Sequence, residues 1–485
     1  MRVSSGLVAV LPLMLLAAVP TVRAEDQPAK VETKEAAPKK AEAPKALPKL
    51  PTLITNLDAD GQPCPSTFLL QDQPDHICNH GGAFTMRRVM PEVSVNNGQF
   101  GVELQMIKDL LAVMNYADPA AGGDPSIGIY GRNRDGGFKE VSRAIPKDRT
   151  RLDFFGGAMG VTENFIVAGA AHSDGVTAEN TQDALQGRVY VFKRKTGLRP
   201  SWEETQVLVP SRHVNQYNFG VSLALGEKWL AVGSNQKKAD EKATSSGVAL
   251  YKLDEAKQLW TEVSHLSAPD GVPARQFGDK LAIQGEKLFV AAPDTYGANK
   301  EFSGAVLIYD LSKPDFPQIG RIDAPEGRNG TGFAQSLEVN GNQVAVGAIT
   351  DSVQGKRSGA VYLYAQQGDG TWTLSNRIVP NNGGDDDGFG GNIRLENNRM
   401  LVSAASKDGI GSSQYDMGAV YLFDRPAAGA KWQQKAMFIA NDVAKDMRFG
   451  RSMAFAGDEV IMGAPTNSSQ IYYGGAIYVV KPNKR

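Results

Sequence analysis

Phe277-Gly278, Gly285-Glu286, Ala291-Ala292-Pro293, Gly304-Ala305-Val306-Leu307-Ile308-Tyr309 and Phe316 follow one another in one stretch of this chain, and their order decides the fold. The same order recurs seven times. Its leading Phe stands at 100, 155, 219, 277, 333, 389 and 449, so the period runs from 55 to 64 residues. Self-similarity at such a period marks an array of supersecondary units. Each unit divides into four strands. The first follows Phe-Gly, as in Val221 to Leu225, and turns at a short polar pair such as Asn397-Asn398 or Gly457-Asp458. The second ends in small residues (Ala168-Gly169-Ala170, Gly463-Ala464-Pro465), and the third opens on Gly and alternates, as in Gly418 to Phe423. The fourth opens on Phe138, Trp202, Trp260, Phe316, Trp372 or Trp432, each 17 residues before the next Phe. Alternation, β-branched and aromatic enrichment, and Gly, Asn or Asp at the turns are strand and hairpin signals.

The two ends of the chain fit together. The last repeat stops at Val480 to Arg485, just after its third strand, without an aromatic fourth strand. Phe84 lies 16 residues before Phe100, and Thr85 to Pro91 reads like Ser375 to Pro380. The expected fold is therefore all-β: a seven-bladed β-propeller of four-stranded blades, the last closed by an N-terminal strand. Closure of this kind removes the unpaired edges that strand ladders otherwise present.

Phe-Gly, Gly-Ala-Pro and Gly-Ala-Val-Tyr in this order resemble FG-GAP repeats, the units of the integrin α-subunit β-propeller and of many bacterial exported envelope proteins. The resemblance runs from about residue 84 to 480. It implies a propeller that recognises a partner. Repeat one departs from the pattern, with Met114-Asn115-Tyr116 in place of Gly-Ala-Pro. The Asp-x-Asp-x-Asp-Gly calcium loop of many such repeats is missing from all seven, and turns such as Gly226-Glu227 are too short to wrap a cation that takes six to eight oxygens. No cofactor is expected; calcium is conceivable only outside these turns. Asp385-Asp386-Asp387-Gly388 looks calcium-like, but consecutive carboxylates point in different directions, which suits a solvated turn better.

Residues 1–24 read as a signal peptide, with Arg2, an apolar run from Leu7 to Val19 and small residues before Glu25. Export to a periplasm, a cell surface or the medium is expected, and no transmembrane segment. Residues 25–51 carry six lysines against five acidic residues among Ala and Pro, the composition of a disordered tether. It is either a passive spacer or a weak grip on peptidoglycan or an anionic surface. Residues 52–83 form a lead-in in which Cys64 and Cys78 are expected to pair as a disulfide in an exported protein. His76, Cys78 and His80 leave a metal reading open. Residues 84–485 form the propeller. Beyond residue 51 the chain has 44 basic and 48 acidic side chains, a balance that argues against nucleic acid as a partner. A monomer is expected.

Catalytic patterns are sparse. None of the five histidines has nucleophile-elbow or metalloprotease spacing, and His172-Ser173-Asp174 cannot form a triad from consecutive positions. Strand parity puts the connections from strand two to three and from strand four to the next blade on one face. Tight turns occupy the other. Loops on a rigid scaffold concentrate binding residues, so the loop face is the expected site. Its candidates are a recurring acidic position (Asp118, Asp174, Asp294, Asp351 and Asp408, with Asn467 in the last repeat) and the tyrosines Tyr217, Tyr296, Tyr415, Tyr472 and Tyr473. The acidic position has a second reading, a strand-exit turn former. Recognition of a protein or a glycan is the expected function; the alternative is a glycan-active lyase or hydrolase with acidic or His residues at the channel mouth.

Overall fold

The computed structural model describes residues 56–57, 77–80 and 84–483, with gaps at 92–97, 117–124, 149–154, 172–186, 198, 212–217, 235–245, 270–275, 294–302, 326–329, 408–415, 441–445 and 469–472. The signal peptide, the tether and Cys64 lie outside the described residues, as does the side chain of Cys78. Among the described residues no helix is long and apolar enough to cross a membrane.

Seven antiparallel sheets make seven blades, numbered here by repeat. Their innermost strands are Leu104–Ile107, Phe155–Val161, Ser222–Leu225, Leu281–Gln284, Phe333–Asn340, Phe389–Glu396 and Met453–Ala456. Each packs against the next around the ring, and Met453–Ala456 returns onto Leu104–Ile107. In blade 7 the outer strand is Phe84–Val89, paired antiparallel with Ala476–Pro482. The N-terminal strand thus closes the ring, as the sequence leads one to expect. Ile77–His80 and Asn56–Leu57 then extend that sheet to six strands.

The core is divided among the junctions. Seven hydrophobic clusters each join two neighbouring blades, the cluster of Leu104, Val113, Ala454 and Ile477 sealing blade 7 to blade 1. A second strand such as Phe165–Ala170 is covered on both faces, so all six residues are buried and apolar or small. The fourth strand Trp202–Leu208 alternates, because one of its faces meets solvent. Its leading aromatic packs on the second strand of the preceding blade. Trp260 meets Phe165 edge-on with centroids 5.6 Å apart, and Trp372 meets Phe289 at 5.7 Å.

The Phe-Gly and Gly-Ala elements are two halves of one blade-to-blade contact. All seven leading Phe side chains are at most 1% exposed. The Gly that follows has φ between +79° and +97° in six repeats. A Cβ on Gly169 would stand 2.0 Å from the carbonyl oxygen of Gly220 in the next blade, and one on Gly463 would stand 2.0 Å from that of Gly101. Repeat five carries Ala334 at φ +69°, a conformation L-residues adopt at a cost. Blade 1 has Met114 where the second-strand Gly would be, and Gly156 leaves the space that its side chain fills. Where the third residue after Phe is Ser, its hydroxyl donates to the same carbonyl: Ser222 to Gly278 (2.5 Å), Ser336 to Gly390 (2.6 Å) and Ser452 to Gly101 (2.6 Å).

Candidate functional site: the loop face and the central channel

The two faces differ as strand parity predicts. Strands one and two are joined by two residues in five blades: 108–109, 285–286, 341–342, 397–398 and 457–458. The first of each pair has positive φ. Strands two and three are separated by far longer stretches: Ala170 to Arg188, Ser234 to Gly247, Ala292 to Ala305 and Ala404 to Ala419. Asp118, Asp174, Tyr217, Asp294, Tyr296, Asp408, Tyr415 and Tyr472, together with His172, lie outside the described residues.

Two members of the recurring acidic position can be placed. Asp351 is 1% exposed, and its carboxylate accepts from the hydroxyl of Tyr362. Its N–H donates to the Ala348 carbonyl (3.1 Å) and its own carbonyl accepts from the Gly359 N–H (2.8 Å). Asn467, also 1% exposed, repeats this arrangement: its amide donates to the Tyr478 hydroxyl (2.7 Å), and its backbone bonds Ala464 and Gly475. The aspartate therefore closes the strand exit onto the Tyr of the third strand. Burial and the adjacent Asp351 carboxylate push the Tyr362 hydroxyl up to about 12. In blade 6 the same backbone bonds belong to Lys407 (to Ala404 and from Gly418), so Lys407 holds this register and Asp408 falls one residue beyond it.

Lys407 reaches back to the acidic run. Its ammonium sits 2.7 Å from Asp387, whose side chain is 5% exposed and also accepts from the Gly384 N–H. Asp385 accepts from the Lys356 N–H at 2.8 Å, and Asp386 pairs with Arg357 at 3.3 Å. The three carboxylates thus diverge to three partners, tying the blade 5 loop 351–358 to blade 6. Tyr473 is half-buried at φ +49°, and its carbonyl accepts from the Gln99 N–H (2.9 Å), bridging blade 7 to blade 1.

The sequence reading overlooked the centre of the ring. A channel cavity of about 540 Å³ is lined by the innermost strands of all seven blades. At the fifth residue after the leading Phe, four blades carry Gly160, Ala224, Ala282 and Ala454, whereas the other three carry Gln105, Glu338 and Arg394. Arg394 bridges Glu103 (3.4 Å) and Glu338 (3.6 Å), reaching past blade 7 to blade 1 over the small Ala454. Gln105 donates to the Met159 carbonyl of blade 2 at 2.6 Å. One polar chain therefore links blades 5, 6, 1 and 2 across the axis. Side chains here keep 18 to 27% exposure toward the channel. Protein nevertheless surrounds Glu338, and burial holds its carboxyl above the ordinary value of 4.5 in spite of Arg394.

A carboxyl raised in the folded state stabilises the fold fully below its unfolded pKa, and that contribution is lost as pH rises through the folded value. Glu338→Gln should therefore flatten the decline in urea midpoint as pH rises above the ordinary carboxyl value of 4.5. Identical slopes for the two proteins would refute the assignment. Arg394→Met should lower stability by about 3 kcal/mol at neutral pH, read as a lower urea midpoint, because it strips Glu103 of its cation and Glu338 of the charge that offsets its burial.

The FG-GAP repeat family model matches residues 316–364, 372–423 and 432–480, from the fourth strand of blade 4 through blade 7. Comparison with curated protein sequences returns no match. Among solved structures, a Lactobacillus plantarum protein is similar at 15% identity and TM-score 0.46, over 77% of this chain and 94% of its own. The Pseudomonas aeruginosa periplasmic gluconolactonase PpgL is similar at 15% identity and TM-score 0.44, over 71% of this chain and 86% of its own.

Proposed function

We propose that this seven-bladed β-propeller, which matches the FG-GAP repeat model in three stretches between residues 316 and 480, is an exported, non-catalytic recognition module that holds a protein or a glycan on its loop face. The observation that carries this reading is the contrast between the faces. Two-residue turns close one side in five blades, while connections of ten residues or more leave the other wherever a second strand such as Phe165–Ala170 or Arg399–Ala404 ends. A ring locked blade to blade by backbone contact supplies the rigid support such loops need. Within this reading the protein is monomeric, carries no cofactor and does not engage nucleic acid. Tyrosines on the loop face serve as anchors, since large rings with a polar tip contribute strongly to interfaces.

The triple change Tyr296→Ser, Tyr415→Ser and Tyr473→Ser should weaken partner binding by about 1–3 kcal/mol in total without altering the fold. The comparison variant carries Glu286→Ser, Asn342→Ser and Asp458→Ser on the tight-turn face and should bind as the wild type does. Loss of binding in the second variant alone would place the interface on the wrong side.

A further inference from the structure

We propose that the loop-face end of the central channel is a separate binding site for a carboxylate-bearing sugar, with Lys280 and Arg451 taking the carboxylate. This goes beyond the loop-face reading and can fail independently of it.

Among the described residues, six charged side chains line the channel: Glu103, Lys280, Glu338, Arg394, Glu396 and Arg451. Arg394 is held between Glu103 and Glu338, so these three largely neutralise one another. Burial favours the protonated form of Glu338 and carries that neutralisation further. Lys280 and Arg451 have no ion pair among the described residues. They stand at the third and second positions after Phe277 and Phe449, one and two residues ahead of their innermost strands, which places both at the loop-face end. The remaining acid, Glu396, is at the seventh position after Phe389, about 13 Å farther along the strand direction. Asp279 neighbours Lys280 in sequence but does not line the cavity. Among the described residues, the loop end of the channel thus keeps two cations without an ion pair, where an anion restores the balance.

The remainder of the lining narrows the ligand class. Among the described lining residues, Gln105, Asn340 and Asn392 add carboxamides, Ser222 and Ser336 hydroxyls, and Phe455 the one aromatic ring. Gln105 and Asn392 already donate to the Met159 and Arg451 carbonyls, and Ser222 and Ser336 to those of Gly278 and Gly390, so a ligand meets their acceptor oxygens and Asn340, which a purely apolar acid would not engage in a confined space. A sugar ring offers hydroxyls for them and a carboxylate for the cations. The cavity of about 540 Å³ lies within the range of small-molecule sites.

The test is calorimetric titration of the mature protein with D-glucuronate and, separately, D-glucose. Glucuronate should bind at least about tenfold more tightly than glucose and should weaken as salt is raised. Lys280→Met and Arg451→Met should each lower glucuronate affinity by about tenfold or more, whereas Glu396→Gln at the far end should shift it less than about twofold. The melting temperature of each variant is read in parallel; should one fail to fold, Lys280→Gln or Arg451→Gln replaces it, and the salt dependence of the wild type decides on its own. Equal binding of the two sugars, no glucuronate binding by the wild type up to about 10 mM, insensitivity to salt, or unchanged affinity in both cation variants would each overturn the proposal. Loop-face binding is untouched by any of these results.

Discussion

Truncation through Pro91 should yield a protein that aggregates, whereas truncation of residues 25–51 alone should leave the melting temperature unchanged. The segment Phe84–Val89 is the outer strand of blade 7, and its six residues pair with Ile477 to Pro482. Met86 is fully buried and Val89 is 7% exposed. Phe84 packs edge-on against Phe438 of blade 6, with centroids 5.2 Å apart. Burial of side chains of this size contributes about 1.5–3 kcal/mol each, so the strand accounts for a large share of the roughly 5–15 kcal/mol that keeps a domain folded. Its removal also bares the whole edge of Ala476–Pro482, a template for pairing between chains. Circular dichroism melts and light scattering on the two truncations check this. Equal melting temperatures would refute the clasp.

Gly463→Ala should be strongly damaging although it adds a single methyl group. Its Cβ would lie 2.0 Å from the Gly101 carbonyl oxygen and 2.4 Å from the Ser452 hydroxyl, both fixed by the blade 7 to blade 1 junction. Neither backbone nor buried Ser can retreat without parting the blades, so a loss of about 3 kcal/mol or more is expected. Gly368→Ala supplies the control, because nothing lies within 4 Å of a Cβ there and its φ is unremarkable. Urea midpoints that fall equally for both changes would contradict the proposed blade contact.

The fold was legible because each element of the repeat has a local physical cause. Phe-Gly marks a buried ring and a backbone that must turn through positive φ, Gly-Ala marks the surface on which the next blade rests, and the opening aromatic marks the strand that covers it. Even the clasp could be read, since Phe84 occupies the position that Trp432 and its counterparts hold in the other blades. The site was less legible. A ring of aspartates could be read as a mouth or as turn formers, and Asp351 proves buried against Tyr362. Asp408 seemed to share that position, but backbone hydrogen bonding places Lys407 there. Arg394 and Glu103 are 291 residues apart and meet only because the ring closes. Their register was nonetheless available: stacking the repeats puts Gln105, Glu338 and Arg394 at one position among small residues.

The central claim is that this propeller binds without converting its ligand. The most direct measurement is a glycan array and an envelope-protein pulldown on the mature protein, run beside a turnover screen on the same polysaccharides. Retention of a defined partner with no product, and loss of that retention in the Tyr296, Tyr415 and Tyr473 triple variant, is the expected result. Specific cleavage of a polysaccharide, abolished by one loop-face carboxylate change such as Asp174→Asn or Asp294→Asn, would contradict it.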